Sequence, residues 1–355
     1  MPTPLITALI DTYNHEHFIE RAITSVLEQN VPQEEVEILV VDDGSTDRTP
    51  DIVAQFAPRV RLRRKTNGGQ ASAFNFGLPQ ARGEYVALLD GDDWWAPDKL
   101  SRVVDVLNRN TAVMAVGHGV TEVYTDGSRH TEQLREPSRF RLESVDDALT
   151  FRLRKNFLGT SRLTLRASLV PRLLPVPVAL RFEADEYLFT LAPALGEVVI
   201  LPEALTFYRI HRANLYQISS AGHDAMMRKQ EVMACLAGEL DRKLLELCIP
   251  KSVVEVVTSP VAAEAEQLRL MSKGGYPWET VRTELLIYRI LHEHASRAQW
   301  LFKCASLLPA FVLPPRLFYS FRRAVAASKS YAWLRQKLLP VPHPEHTVRT
   351  WESNA

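Results

Sequence analysis

The sequence has no excess of either charge, few cysteines and no long hydrophobic run. Its 42 Lys and Arg residues equal its 42 Asp and Glu residues, so the chain lacks the basic surplus of a bulk nucleic-acid binder. The three cysteines have no metal-type spacing, which is typical of free thiols in a reducing compartment. No apolar run could span a bilayer, and no signal peptide is evident. We therefore expect a cytoplasmic protein that binds no nucleic acid.

Buried strands and amphipathic helices alternate along the first hundred residues. Hydrophobic runs predict strands over 5–11, 36–43, 59–65 and 83–90. Helical spacing predicts helices over 17–29, 44–56, 68–78 and 96–110. Asn14 is a plausible N-cap for the first helix. This alternation predicts an α/β fold with a largely parallel sheet and helices on both faces.

Acidic residues follow three of the predicted strands. One of these strands, in the stretch YVALLDGDDWW, delivers three carboxylates within four residues. Ligands of open α/β sheets bind beyond the carboxyl ends of the strands, so the acids are expected at one edge of one sheet. Helix capping explains any single aspartate but not the whole set. The set comprises Asp11, Asp42, Asp43, Asp90, Asp92 and Asp93.

Clustered carboxylates at such an edge suit Mg²⁺ or Mn²⁺ shared with substrate phosphates. The segment DGDDWWAPDKL lacks the ligand order and late Glu of an EF-hand loop. No Gly-x-Gly-x-x-Gly follows the first strand, where DTYNHE stands instead, and no Walker loop is present. The pattern therefore favours a divalent cation that bridges a diphosphate.

Four motifs in order resemble the family 2 glycosyltransferases of GT-A fold. They are TYN, VVDDGSTDRT, NGGQASAFNFGL and GEYVALLDGDDWW, and the resemblance runs from about residue 5 to 214. It implies a transferase domain over 1–215 that inverts the donor sugar, followed by a helical extension over 216–355. Two residues depart from the family pattern: Asp11 stands where the family usually has Pro, and Phe74 where it often has Arg.

The resemblance implies roles for individual residues. Asp42 or Asp43 would bind the uracil-type edge of the base. Asp92 would be a metal ligand, supported by Asp93. Because Phe74 replaces the usual Arg, Lys65 or the backbone near Gly68 and Gly69 is expected to contact phosphate. The remaining nucleotide-binding residues implied by the resemblance are Thr12, Tyr13, Asn14, Asp90 and Gly91.

An acidic pair, Asp185 and Glu186, precedes an apolar helix in the second half of the domain. In similar transferases the Asp of such a pair is the catalytic base, and the offsets to Leu188 and Gly196 favour Asp185 over Glu186. The alternative is that both acids only complement the helix dipole. A carboxylate suits the chemistry because it accepts the proton of the attacking hydroxyl.

The YRIH stretch follows this helix. The resemblance implies that His211 contacts phosphate or metal and that Arg209 contacts phosphate, whereas a lone His is more often structural. The segment 156–170 resembles the floor of an acceptor site.

The C-terminal part is helical in spacing. Segment 301–340 holds seven Lys and Arg residues among aromatic and apolar ones, with no acidic residue. Such a segment is typical of peripheral contact with the inner membrane face, although a helix packed on its own domain explains it too.

Two functions stay open at this point. The first is a metal-dependent transferase that moves a sugar from a nucleotide diphosphate donor, UDP favoured, to a glycan or lipid-linked acceptor. The second is a non-catalytic relative that binds a nucleotide or glycan as an assembly partner. A nucleotidyltransferase is weaker, because it would normally carry a Gly-rich loop after the first strand.

Overall fold

The protein is described by a computed structural model over residues 3–211, 223–292, 296–326 and 347–352. The chain forms two compact units. Among the described residues, the first unit comprises 3–211, 242–254 and 347–352, and the second comprises 223–241, 255–292 and 296–326.

The first unit opens with the predicted alternation of strands and helices. Its strands are rich in Val, Ile and Leu and are buried almost throughout, as expected of strands covered on both faces. The elements are β1 (Ile6–Thr12), α1 (Ile19–Leu27), β2 (Val36–Asp42), α2 (Thr49–Ala54), β3 (Val60–Arg64), α3 (Gln70–Gly77), β4 (Tyr85–Asp90), β5 (Trp94–Trp95) and α4 (Lys99–Arg109).

The first four long strands are parallel and in register. β1 lies between β2 and β4, and β3 lies outside β2. Asp11 is paired with Asp90 across β1 and β4, and Thr12 is paired with Asp42 across β1 and β2. The carboxyl ends therefore meet at one edge, and the acids that follow the strands are brought there.

The rest of the first unit extends this sheet with both antiparallel and parallel strand pairs. The elements are β6 (Val113–Val123), β7 (Arg129–Leu134), β8 (Ser138–Phe140), α5 (Val145–Arg154), β9 (Thr164–Arg166), α6 (Val170–Leu173), α7 (Ala184–Leu195) and β10 (Glu197–Arg209), with β11 (Thr347–Glu352) from the C-terminal region. The order is β11-β7-β6-β9-β4-β1-β2-β3, and β10 pairs with β5, β6 and β8. The predicted fold class, a mixed sheet flanked by helices with further helices after it, is confirmed.

One local prediction is wrong. Asn14 does not cap the first helix, since α1 begins at Ile19 and Asn14 has φ of 56°. Its Oδ1 instead accepts a hydrogen bond of 2.8 Å from the Thr46 N–H, and its own N–H donates to Ser45 Oγ. The loop after β1 is therefore fixed to the loop after β2.

The second unit is helical. It contains α10 (Pro277–Leu291), α11 (Arg297–Ser306) and α12 (Pro315–Ala326), most of α9 (Lys251–Ser272) and part of α8 (His223–Glu246). The carboxylate of Glu284 is buried and accepts hydrogen bonds of 2.8 Å from Gln267 Nε2 and Lys303 Nζ, and it also pairs with Arg322. No helix of the described residues is long and apolar enough to cross a membrane.

Candidate active site

The two acids after β2 are held by their own loops. Asp42 is fully buried, and its two oxygens accept from Ser45 N–H (2.8 Å) and Arg64 Nε (2.7 Å). Asp43 pairs with Lys65 Nζ and accepts from the Gly69 N–H at 2.6 Å. The structure thus uses Asp43 to fix the loop from Lys65 to Gly69 at the edge of the sheet.

Gly69 is required by this arrangement. Its φ is +83°, a conformation that L side chains rarely adopt. A Cβ on Gly69 would lie 2.6 Å from the carbonyl oxygen of Arg181. The loop can therefore approach the chain before α7 only because residue 69 has no side chain.

Carboxylates from β1, β4 and α7 converge beside this loop. Burial raises the pKa of Asp11 to about 8, and the charge of Asp92 adds to the effect. Burial also raises the pKa of Asp90 well above its usual range, with Asp11 as the next cause. The Asp11 Oδ1 atom is buried and has no hydrogen-bond partner among the described residues. A cation or further hydrogen-bond donors would therefore stabilise the ionised form of these carboxylates.

Asp93 lies deeper than Asp92. Burial and the neighbouring Asp92 raise its pKa well above the usual range. Two donors oppose this shift: Ser161 Oγ lies 2.6 Å from Asp93 Oδ2, and the Arg209 N–H donates to Oδ1 at 3.0 Å. Asp93 thus ties the end of β4 to the end of β10.

Asp92 faces two histidines. His211 Nε2 lies 3.0 Å from Asp92 Oδ2, and His15 Nε2 lies 3.9 Å from the same oxygen. Burial opposes ionisation of Asp92, but the His211 hydrogen bond and the two histidine charges keep its pKa below the usual value. Burial lowers the pKa of His15. An ionised carboxylate beside imidazole nitrogens is a donor set that Mn²⁺ accepts.

Within the described ranges, no group of three or more His, Cys, Asp or Glu side chains is arranged to hold a metal ion by itself. Asp92 and His211 supply two donors, which fits a cation that takes its other ligands from substrate phosphates and water. The residues present therefore suit a metal that binds together with a diphosphate.

Arg209 is held between two aromatic rings. Its guanidinium carbon lies 4.9 Å from the centre of the Phe18 ring and 4.6 Å from that of Trp94. Its Nε donates to the carbonyl oxygen of Asp92 at 3.0 Å, and burial lowers its pKa. Arg209 thus braces the backbone at Asp92.

The acidic pair of α7 divides between two partners. The carboxylate of Asp185 accepts from Thr160 N–H (2.9 Å) and Thr160 Oγ1 (3.0 Å), and its charge acts on Asp11 and Asp90. Glu186, largely buried, forms an ion pair with Lys155. Asp185 is thus the member of the pair that lies beside the acid cluster.

The loop after β1 completes the edge. Thr12 is buried with its Oγ1 3.2 Å from His15 Nδ1, whereas Tyr13 is exposed. A Cβ on Gly91 would lie 2.5 Å from Thr12 Oγ1, so residue 91 must be small for this loop to pack against β4.

The sequence is similar to several glycosyltransferases. Residues 7–169 match the family model "Glycosyl transferase family 2". An uncharacterized glycosyltransferase of Nostoc sp. is 33% identical over 236 residues, which span 64% of this chain and 71% of the relative. This chain belongs to glycosyltransferase family 2.

Another relative of this family 2 glycosyltransferase is the succinoglycan biosynthesis protein ExoO of Rhizobium meliloti. It is 33% identical over 238 residues, covering 64% of this chain and 67% of ExoO.

Solved structures show the same GT-A fold. S. aureus TarS in complex with UDP-GlcNAc has a TM-score of 0.55 at 20% identity, covering 86% of this chain and 91% of that chain. The mannosyltransferase PcManGT of Pyrobaculum calidifontis, in complex with GDP-Man and Mn²⁺, has a TM-score of 0.52 at 22% identity, covering 94% and 83%. Both likenesses show that this family 2 glycosyltransferase has the GT-A fold.

Sequence reasoning missed three residues of this edge. His15 lies in the DTYNHE stretch directly after β1. Its position beyond the carboxyl end of a strand is a signal that could have identified it as a site residue. Thr160 and Ser161 lie in the segment 156–170 that resembles the floor of an acceptor site, but nothing in the local sequence links either residue to acids after other elements. Phe74, which replaces the usual family Arg, is fully buried in α3.

Proposed function

We propose that this protein transfers a sugar, with inversion, from a nucleoside diphosphate donor to a hydroxyl of a glycan or lipid-linked acceptor. The convergence of Asp90, Asp92 and His211 with Asp185 at one sheet edge carries the proposal. It supplies a place for a metal–diphosphate complex and a carboxylate base beside it. The name of the ExoO relative supports a polysaccharide or glycolipid product.

The donor nucleotide is proposed to bind at the carboxyl ends of β1, β2 and β4. Asp42 and Asp43 both stay assigned to the base, since both are buried and both oxygens of each accept hydrogen bonds from neighbouring loops. UDP is favoured, as in the UDP-GlcNAc complex of TarS. The other contacts are assigned to Thr12, Tyr13, Asn14, Lys65, Gly69, Asp90 and Gly91.

Asp92 and His211 would hold the Mn²⁺ or Mg²⁺ ion. When bound, the ion neutralises the negative charge that develops on the departing diphosphate. Arg209 adds positive charge near Asp92. Its contacts with the Phe18 and Trp94 rings and its hydrogen bond to the Asp92 carbonyl oxygen hold Arg209 in place.

Asp185 is proposed as the general base. Its carboxylate takes the proton of the acceptor hydroxyl as that oxygen bonds to the anomeric carbon. The bond from this carbon to the diphosphate oxygen breaks on the opposite face, and the diphosphate leaves with the electron pair. Attack and departure on opposite faces invert the configuration.

A donor panel tests the proposed function. We expect release of nucleoside diphosphate from one of UDP-GlcNAc, UDP-glucose, UDP-galactose or GDP-mannose with Mn²⁺ present. EDTA is expected to lower this turnover about a thousandfold, because the charge on the leaving group is no longer neutralised, and added Mn²⁺ is expected to restore it. Binding of the same nucleotides without turnover would instead favour the non-catalytic assembly partner.

Peripheral membrane contact is a separate proposal for the 301–340 segment. Residues 327–340 lie outside the described residues. Lys303 and Arg322 face the buried Glu284, so part of the predicted basic face is used internally. The segment nevertheless exposes large apolar side chains, which suit an interfacial position. They are Leu301, Leu308, Phe311, Val312, Leu317 and Phe321.

Vesicle sedimentation tests this contact. Phe321→Asp is expected to lower partitioning onto phosphatidylglycerol–phosphatidylcholine vesicles about tenfold, because an exposed ring no longer inserts. Leu153→Asp is the matched control, since Leu153 on α5 is also a large apolar side chain, 59% exposed against 51% for Phe321. Equal vesicle binding by both variants and the unmodified protein would contradict a lipid-facing segment.

A further inference from the structure

A short turn between α5 and β9 reaches both halves of the candidate active site. It consists of a 3-10 helix, Thr160–Arg162. Thr160 and Ser161 are almost completely buried, with 3% and 4% of their surfaces exposed. Their polar groups therefore form hydrogen bonds inside the protein, and each side chain is bonded to a different part of the site.

Thr160 holds the acid of α7. Its N–H and its hydroxyl both lie within 3.0 Å of Asp185 Oδ2. Gln70 Nε2 donates to the same hydroxyl oxygen at 3.1 Å, and Gln70 Oε1 accepts from the Ala184 N–H at 3.0 Å. Because the Ala184 N–H can only donate, the atom facing it must be Gln70 Oε1, and Gln70 Nε2 must face the Thr160 hydroxyl. The Thr160 hydroxyl hydrogen is then left to point at Asp185.

Ser161 holds the acids at the end of β4. Its hydroxyl donates to Asp93 Oδ2 at 2.6 Å and accepts from the Asp90 N–H at 3.1 Å. Its carbonyl oxygen accepts from Trp95 Nε1 at 2.8 Å and from Thr206 Oγ1 at 2.7 Å. The position of Ser161 is thus set by β5 and β10, and Ser161 in turn sets the two aspartates.

We propose that Thr160 and Ser161 are positioning residues that fix the base relative to the donor-side acids. Thr160 orients Asp185, and Ser161 orients Asp90 and Asp93. Gln70 continues the link, because it follows Gly69, whose N–H holds Asp43. The distance between base and donor is therefore set by two adjacent residues. The inference rests on the proposed role of Asp185 as base.

Removing the Thr160 hydroxyl tests the first half. Thr160→Val keeps the volume and the backbone N–H, and it is expected to lower kcat for donor hydrolysis about 10- to 100-fold, since a displaced base reacts slowly. The Kd of UDP with Mn²⁺ is expected to change less than about twofold. Thr160→Ser restores the hydroxyl and is expected to restore kcat.

Thr190→Val is the matched control. Thr190 lies in the same helix as Asp185, is buried, and its hydroxyl has no hydrogen-bond partner among the described residues. Its replacement is expected to leave kcat and the melting temperature unchanged. Equal loss of kcat and of UDP binding in Thr160→Val, without rescue by Thr160→Ser, would reduce Thr160 to a structural residue and overturn the inference.

Ser161→Ala tests the proposed role of Ser161, and here the expected change is in nucleotide binding. It is expected to weaken binding of UDP with Mn²⁺ about tenfold, because the Asp93 carboxylate loses its side-chain donor. Unchanged affinity and unchanged kcat would remove Ser161 from the proposal.

A double variant separates this inference from the proposed function. Thr160→Val is expected to cost nothing further in an Asp185→Asn background, because the carboxylate it positions is gone. Full turnover in Asp185→Asn alone would refute the base assignment. Loss of turnover in Asp185→Asn with wild-type kcat in Thr160→Val would refute only the positioning role.

Discussion

Replacing Asp92 with asparagine is expected to lower kcat/KM for the donor about a thousandfold in the presence of Mn²⁺, or about 4 kcal/mol of transition-state stabilisation. The amide keeps the shape of the side chain but removes the negative charge that Asp92 retains beside His211 and His15. Turnover and the Mn²⁺ dependence of UDP binding, measured by titration calorimetry, should decline together.

Asp105→Asn is the control for this experiment. Asp105 lies on α4, is exposed, and pairs only with Arg109 among the ion pairs described. Its replacement is expected to leave both readouts unchanged. If Asp92→Asn keeps full turnover and the same Mn²⁺ dependence, Asp92 does not hold the metal.

Asp185→Asn is expected to lower kcat about a thousandfold, since general bases contribute roughly 10²- to 10⁴-fold. The amide cannot accept the proton of the acceptor hydroxyl. UDP binding with Mn²⁺ should change little, because Asp185 belongs to α7 rather than to the loops proposed to bind nucleotide. Turnover of the best donor and calorimetric UDP affinity measure the two effects.

Glu186→Gln decides between the two acids of α7. Glu186 is paired with Lys155, so its replacement is expected to reduce kcat less than about tenfold and to act mainly on the melting temperature. A thousandfold loss in Glu186→Gln with near-normal Asp185→Asn would transfer the base role to Glu186.

The acid cluster explains why the site needs a ligand of opposite charge. Asp11 and Asp90 are neighbours across two parallel strands, and burial raises the pKa of both. Bringing like charges together out of water is costly unless a cation or donor groups compensate. The buried carboxylates that make this edge unfavourable on its own therefore favour binding of a metal–diphosphate complex.

Much of the parallel half was predictable, because its signals are local. Hydrophobic runs of strand length, helical spacing and the acids after each run lie close together in the sequence. Parallel strands bring their carboxyl ends to one edge, so Asp43, Asp90 and Asp92 could be placed together. The preference for Asp185 over Glu186 as the base came from the resemblance to the family, and it stays a prediction.

The rest of the sheet was not predictable in the same way. β9 is three residues long and fits between β4 and β6, and β11 returns from the C-terminal region to pair with β7. Such pairings depend on contacts between residues distant in sequence, which hydrophobic period does not specify. The role of Asn14 was also mispredicted, since its hydrogen-bond partner Thr46 lies in a loop 32 residues away.

By itself, the sequence determined the strand–helix alternation and the supply of carboxylates to one sheet edge, because both follow from local spacing. Only the tertiary structure decided which groups bind each acid. It buried Asp42 with internal donors, placed two histidines beside Asp92, and used Thr160 and Ser161 to hold acids 25 and 68 residues away. Hydrogen bonds of this kind form only when separate elements pack, so no local pattern records them.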